Sequence, residues 1–140
     1  MDDIILKLPK SIEVALIEHA TSLTPIESCG YLSGVGETIT TFHPMTNVDN
    51  SPEHFSFDPK EQFSVVKEVR NNNEKILAVY HSHPETPARL SEEDIKLFND
   101  PDPIYIIVSL KDKTPEINGF KVIKPNKNEI KVHKVTIIII

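Results

Sequence analysis

The chain has 140 residues, which is enough for one domain built around one hydrophobic core. Hydrophobic residues make up 39% of it and charged residues 26%, so the composition excludes disordered, collagen-like and coiled-coil proteins. The formal net charge is −6 and no basic run occurs, which argues against a nucleic-acid partner. Three of the 4 glycines lie between residues 30 and 36, and the sequence contains no glycine-rich phosphate-binding motif.

The sequence also bears on the cellular compartment. Its one cysteine, Cys29, cannot form an internal disulfide, and residues 1–3 lack the basic and apolar regions of a signal peptide. The apolar segment 137–140 is far shorter than the roughly 20 residues that span a bilayer. We therefore expect a cytoplasmic protein without a membrane partner.

The first elements along the chain are a helix and a β-hairpin. Apolar residues recur at helical spacing over 11–23, and Pro25 prevents this helix from continuing. Two short β-rich segments, 30–35 and 38–42, flank a turn at Gly36, which predicts a hairpin. The helix is expected to cover a sheet.

A second helix follows a loop rich in proline and asparagine. The loop covers 44–59 and includes a short strand at 55–57. Asp58 is a suitable N-cap, and Glu61 is predicted to reach back as its capping-box partner. The asparagine run at 71–73 ends this helix.

The rest of the chain contributes one more helix and four strands. The continuous apolar run 76–80 is typical of a strand covered on both faces. A third helix is predicted over 91–98, followed by a buried strand over 104–110. The last strands are expected over 120–123 and from residue 130, with a bulge where the apolar phase changes along the final strand.

His81 and His83 are the most informative residues. They are separated by one position at the end of a strand, so their imidazoles project from the same side of the sheet and can reach one metal ion. A catalytic zinc site takes three protein ligands and keeps one position open. Asp94 returns to this strand end after Pro84 and supplies a carboxylate. Two imidazoles and one carboxylate favour Zn²⁺, with other first-row ions left open.

Other interpretations fit parts of this pattern. Ser91 and Asp94 also fit a helix capping box, and an isolated H-x-H pair is weak evidence for a metal. A metal hydrolase on an eight-stranded barrel needs about 250 residues, so the chain is too short for it. A cupin-like jelly roll would be all-β, whereas this chain predicts three helices.

Two separated motifs, one at residues 81–84 and 91–94 and the other at residues 25–30, resemble those of the JAMM (MPN+, Mov34/PAD-1) metalloproteases. Residues 81–84 and 91–94 match H-[ST]-H-P-x(6)-S-x-x-D, and residues 25–30 match P-x-E-x-C-G in the same order. The resemblance implies one JAB/MPN metalloprotease domain over 1–140. It also implies an α/β (α+β) fold of JAB/MPN, cytidine-deaminase-like architecture, in which a central mixed, curved β-sheet is flanked by about three helices.

The resemblance also assigns roles to residues. It implies that His81, His83 and Asp94 bind Zn²⁺. Glu27 would be general base and then acid, and Ser91 would stabilise the tetrahedral intermediate. Because zinc lowers the pKa of bound water to about 7, a carboxylate can take the proton at neutral pH and pass it to the leaving amine. Cys29 is expected to be a small core residue, and the role of His54 stays open.

The chain lacks the insertions of the large eukaryotic members and is similar to the compact stand-alone prokaryotic type. That similarity implies a zinc metallopeptidase or isopeptidase. Its substrate would be a ubiquitin-like or sulfur-carrier protein, cleaved after its C-terminal Gly-Gly. The alternatives are a non-catalytic MPN-type binding or scaffold module, and a metal-dependent hydrolase of a small amide.

Overall fold

A computed structural model describes residues 4–97, 100 and 102–140. Its elements are a set of strands that form one sheet and three helices that lie between them in the chain. In chain order they are β1 (Ile5–Leu8), α1 (Lys10–Leu23), β2 (Cys29–Val35), β3 (Thr38–Met45), α2 (Pro59–Asn71), β4 (Lys75–His83), α3 (Glu92–Leu97), β5 (Ile104–Ser109), β6 (Glu116–Asn126) and β7 (Glu129–Ile139).

The strands form a closed, mixed sheet in the order β1-β3-β2-β4-β5-β6-β7. β4 and β5 are parallel, β1 is parallel to both β7 and β3, and the other neighbours are antiparallel. The mixed sheet with three helices that the sequence predicted is therefore confirmed. Among the described residues, none of the helices has both the length and the apolarity to cross a bilayer.

Helix α1 covers one side of the sheet. Its buried residues Ile12, Leu16 and Ala20 follow the helical spacing seen in the sequence, and they pack in a cluster that includes Leu32 and Tyr80. Full burial of a leucine or isoleucine side chain contributes about 1.5–3 kcal/mol. This cluster therefore anchors α1 on the face of β4 that lies opposite His81.

Helix α2 begins as predicted but uses one residue differently. The Asp58 side chain accepts a hydrogen bond from the Lys60 amide at 2.9 Å, and Pro59 occupies the first turn. Glu61 is not the capping partner that the sequence predicted. Its carboxylate accepts bonds from the backbone amide of Thr46 at 2.6 Å and from the Thr46 hydroxyl at 3.1 Å, which ties α2 to the end of β3.

Two further expectations need correction. The sequence did not predict β1, a strand of only four residues whose pairing with β7 closes the sheet. The predicted bulge in the final strand is wrong, because β7 pairs with β6 in continuous register from Lys131 to Val135. The irregularity lies in β6 between Ile123 and Asn126. Phe98, the predicted end of the third helix, lies outside the described residues.

Candidate metal centre and catalytic site

Strand β4 presents the two histidines to one face of the sheet. His81 and His83 are both buried, and the strand runs through both of them, past the predicted end of the apolar run. Alternation along the strand places Val79 on the same face and Tyr80 and Ser82 on the other. His81 pairs with Ile107 of β5 and with Cys29 of β2, and this register fixes where the histidines lie along the sheet.

The predicted ligand set is brought together. The Nε2 atoms of His81 and His83 are 3.1 Å apart, and Oδ2 of Asp94 lies 3.3 Å from the former and 3.1 Å from the latter. Ligand atoms around a tetrahedral zinc ion with bonds of about 2.0–2.1 Å are separated by about 3.3–3.4 Å. The donor set and its spacing therefore fit a small divalent cation, and all three residues are buried.

The orientation of His83 is set by a neighbouring carbonyl. Its Nδ1 atom donates to the carbonyl oxygen of Pro87 at 2.9 Å, so in the neutral ring the lone pair of Nε2 is left for a ligand. The loop that carries Pro87 is held by side chains of β5 and β6. The Ser109 hydroxyl donates to the Thr86 carbonyl at 2.6 Å, and the Asn118 amide donates to the Ala88 carbonyl at 2.9 Å.

The other histidine ring packs against an aromatic side chain. The ring of Phe55 stacks on His81, with centroids 4.9 Å apart and planes inclined by 27°. Phe55 belongs to the loop between β3 and α2, where the sequence predicted a short strand. The structure has only an isolated bridge there, between Asn47 and Phe57.

The protonation states of the three ligands depend on one another. Burial acts to raise the pKa of Asp94, but hydrogen bonds from His81 and His83 hold it well below its usual range. Burial lowers the pKa of His81. Burial also opposes the charge on His83, yet its bonds to Asp94 and to the Pro87 carbonyl raise the pKa of His83 overall. A cation in this site therefore competes with a proton on His83.

Ser91 and Asp94 also form the capping box that the sequence allowed. The Ser91 amide donates to Oδ2 of Asp94, and the Asp94 amide donates to the Ser91 hydroxyl oxygen, each at 3.0 Å. The two interpretations of this pair are compatible. The cap holds the carboxylate against the histidines, and the Ser91 hydroxyl accepts in this bond, so its hydrogen stays available to another acceptor.

Glu27 reaches the site through long-range pairing. The preceding helix ends at Leu23, and the chain then joins β2, whose first residue Cys29 is opposite His81. Ser28 is bonded to Ser82 of β4 in both directions. Its amide donates to the Ser82 hydroxyl at 2.8 Å, and its carbonyl accepts from the Ser82 amide at 3.0 Å.

One oxygen of the Glu27 carboxyl group is buried without compensation. The residue is 3% exposed, and Oε1 has no hydrogen-bond partner among the described residues. Burial raises the pKa of Glu27 to about 8, against the opposing effect of a charged His83. In the metal-free chain this carboxyl group therefore keeps its proton at neutral pH.

Glu27 and His83 line the same cavity, whose volume is about 840 Å³. Ser91 lines it as well, so the catalytic residues implied by the resemblance and one proposed ligand share one space. The rest of its rim is largely charged and exposed. It includes Glu53, Glu92, Glu93 and Lys96.

Two other residues singled out in the sequence have structural partners. Cys29 is fully buried, and burial raises the pKa of its thiol to about 12, so it is a core residue as expected. The Nδ1 atom of His54 lies 2.9 Å from Oδ2 of Asp49, which restrains the ring within its own loop.

Sequence reasoning missed Asn47, which is buried and donates to the Glu27 carbonyl at 3.0 Å. It also missed a buried chain of polar groups behind the histidines. There the Tyr80 hydroxyl contacts the Ser28 hydroxyl and lies 3.1 Å from Nδ1 of His19. Neither feature has a local sequence signal.

The chain matches one family model and several named relatives. A family model described as prokaryotic homologs of the JAB domain matches residues 9–123. The CysO-cysteine peptidase of Mycobacterium tuberculosis is 35% identical over 112 residues, which cover 78% of this chain and 77% of that protein. The desampylase of Haloferax volcanii is 33% identical over 95 residues, which cover 66% of this chain and 68% of that protein.

Solved structures show the same architecture. The solution structure of a protein from Desulfitobacterium hafniense matches with a TM-score of 0.84 at 38% identity and covers 98% of this chain and 93% of that chain. A JAB1/MPN domain protein from Archaeoglobus fulgidus matches with a TM-score of 0.60 at 20% identity, covering 95% and 99%, which bears on the fold alone. The chain therefore has a JAB/MPN fold and belongs to the family of prokaryotic homologs of the JAB domain.

Proposed function

We propose that the chain is a zinc metallopeptidase or isopeptidase, with His81, His83 and Asp94 as metal ligands. The observation that carries this proposal is the convergence of their three ligand atoms within 3.3 Å of one another, beside the cavity that Glu27 also lines. Relatives named CysO-cysteine peptidase and desampylase support a hydrolytic role.

The metal would supply the electrophile. A Zn²⁺ ion held by two imidazoles and a carboxylate provides a Lewis acid for the scissile carbonyl and makes a bound water acidic near neutral pH. The protein contributes the orientation of the ligands. The Pro87 carbonyl fixes the tautomer of His83, and the Ser91 amide fixes the Asp94 carboxylate.

Glu27 would carry the proton. Its carboxylate takes a proton from the attacking water, and the same proton then goes to the leaving nitrogen. Because Oε1 is buried and has no hydrogen-bond partner in the described part of the chain, no described side chain donates a hydrogen bond to this oxygen. The free hydroxyl hydrogen of Ser91 would stabilise the negative oxygen that develops on the carbonyl.

The substrate proposed is a ubiquitin-like or sulfur-carrier protein, cleaved after its C-terminal Gly-Gly. The names of three relatives support this class: CysO-cysteine peptidase, desampylase and a probable TtuB-protein conjugate cleaving protease from Thermus thermophilus. A glycine pair has no side chains, so it can approach a metal whose ligands are all buried.

A small amide is the second candidate substrate. The cavity of about 840 Å³ lies within the range of sites that bind small molecules. The two candidate substrates differ in the parts that the protein must accommodate beyond the scissile bond. A carrier conjugate presents a folded domain and a tail, and a small amide presents neither.

The experiment measures metal content and cleavage together. We expect one zinc ion per chain and cleavage of a ubiquitin-like carrier that bears a peptide extension after its Gly-Gly. Glu27→Gln should keep the zinc and lower kcat by about 10²- to 10⁴-fold, because only the proton carrier is lost. Asp94→Ala should lose both zinc and activity.

The matched control is Glu18→Gln, an exposed carboxylate of α1 outside the site, which should behave as wild type. Cleavage by Glu27→Gln at the wild-type rate, or purified protein that takes up no zinc, would contradict the mechanism. If the zinc-loaded protein leaves carrier conjugates intact and hydrolyses a small amide, the small amide replaces the carrier conjugate as the proposed substrate.

A further inference from the structure

The Asn47 side chain lies between Glu27 and the loop that joins β3 to α2. It is 8% exposed, and its amide nitrogen donates to the carbonyl oxygens of Glu27 and His54, each at 3.0 Å. Its Oδ1 atom accepts from the backbone amides of Asp49 at 3.0 Å and Ser56 at 3.2 Å. Both amide hydrogens and both oxygen lone pairs are therefore used.

The same loop holds the other side of the Glu27 peptide. The Glu27 amide donates to the Ser51 carbonyl at 2.9 Å, so both backbone polar groups of Glu27 bond to residues 47–51. Ser28, the next residue, is bonded to Ser82 of β4. Glu27 thus lies where a loop and a strand meet, and only the strand side is held by regular sheet pairing.

The geometry points to Asn47 as the positioning residue for Glu27. This inference rests on the proposed function, because it takes Glu27 as the proton carrier. Asn47 does not line the cavity that holds Glu27 and His83, so it acts through the main chain of Glu27. A displacement of about 1 Å in a catalytic group can cost about 10²-fold in rate. We expect Asn47→Ala to lower kcat by about that factor.

An alternative route from Asn47 to the reaction runs through the metal. The loop also carries Phe55, whose ring stacks on His81. If Asn47 acted by this route, its loss would weaken zinc binding. If it acts on Glu27, Asn47→Ala keeps one zinc ion per chain and leaves KM within about threefold of wild type.

A double-mutant cycle separates the two routes. In the zinc-loaded full chain, Asn47→Ala should lower kcat about 100-fold when Glu27 is present and less than threefold in the Glu27→Gln background. An equal loss in both backgrounds, or a loss of zinc, would overturn the inference. Asn47→Asp keeps the oxygen that accepts from Asp49 and Ser56 but removes the donor to Glu27. It should therefore show the same loss, and it replaces Asn47→Ala if that variant does not fold.

Hydrogen exchange tests the inference without any substrate, so its outcome is independent of the proposed function. Exchange of the Glu27 backbone amide should be at least tenfold faster in Asn47→Ala than in wild type, because the loop that carries its Ser51 partner loses the side-chain bonds of Asn47. The control Asn128→Ala, at the exposed turn between β6 and β7, should leave this rate and kcat unchanged. Wild-type exchange at the Glu27 amide in Asn47→Ala would overturn the inference even if the enzyme proves active.

Discussion

The polar side chains on the two faces of β4 differ in how they are paired. On the face toward α1, the Tyr80 hydroxyl contacts Ser28 and His19, and the Ser82 hydroxyl accepts from the Ser28 amide. On the other face, the ligand atoms of His81, His83 and Asp94 converge at 3.1–3.3 Å.

The difference shows where the fold stabilises itself and where it prepares a site. Donors and acceptors match on the α1 face, so its buried polar groups cost little. On the site face, the burial of Asp94 and the two histidines raises the free energy of the folded chain, and so does the buried Oε1 atom of Glu27, which has no partner among the described residues. A divalent cation would offset the first of these costs, and a proton on Glu27 offsets the second.

The largest expected effect is the loss of metal-linked stability. For wild type, zinc at about 1,000 times its Kd should raise the free energy of unfolding by about 4 kcal/mol. Asp94→Ala should gain less than about 1 kcal/mol at the same zinc concentration. Urea denaturation with zinc and with a chelator measures both gains.

Glu92→Ala on the same helix is the control for this first prediction. Its carboxylate is exposed, and Glu92 is outside the convergent group, so the variant should keep the full gain. If zinc stabilises Asp94→Ala as strongly as wild type, the site face does not bind zinc through Asp94, and the proposed difference between the two faces is wrong.

The second prediction concerns pH. In the metal-free chain the pKa of Glu27 is raised to about 8 from 4.5, so the folded state holds a proton that the unfolded state has lost. Its stability contribution is full below pH 4.5 and declines as the pH rises toward 8. Relative to Glu27→Gln, wild type should therefore lose about 2–4 kcal/mol between pH 5 and pH 8.

This difference is measured by urea denaturation of both proteins in the presence of a chelator. Asp94 and the histidines titrate in both proteins, so most of their contribution cancels in the comparison. The part that does not cancel is the interaction between Glu27 and a charged His83. A constant difference between wild type and Glu27→Gln across this pH range would show that Glu27 is not desolvated in the folded state.

The smallest effect is expected on the α1 face. Ser82→Ala removes the acceptor for the buried Ser28 amide and should cost about 1–3 kcal/mol. Tyr80→Phe removes the hydroxyl between Ser28 and His19 and should cost a similar amount. Both variants should keep the full zinc-linked gain, which the same denaturation series measures.

Ser22→Ala, an exposed hydroxyl of α1, serves as the control and should stay within about 0.5 kcal/mol of wild type. Loss of the zinc-linked gain in Ser82→Ala would mean that the two faces are energetically coupled through β4.

Much of the fold could be predicted from local patterns. The α1 stripe, the Asp58 cap and the apolar run of β4 each depend on residues a few positions apart, and the structure contains all three. β1 was missed because four residues give too short a pattern. The bulge was misplaced because the alternation of apolar residues changes along β7 for another reason. One part of the strand is covered and the other is exposed, so Val135 is buried and Val132 is exposed.

Only part of the candidate site could be predicted from local patterns. The spacing of His81 and His83 alone places both imidazoles on one face, since side chains alternate along any strand. Glu61 illustrates the limit, because its carboxylate bonds to the backbone amide and hydroxyl of Thr46 and not to the helix cap that the local rule predicted. Asn47 had no local signal at all, because all four of its bonds depend on how the loop folds back.

By itself the sequence therefore determined which residue types are available for the chemistry and which pairs share a face, since alternation and helix caps operate over a few residues. Only the tertiary structure decided that Glu27 lies beside His83, because that proximity follows from the register between β2 and β4, far apart in the chain. It alone decided that Glu27 is desolvated and held by Asn47. Burial and satisfied hydrogen bonds belong to the packed chain, and no local pattern records them.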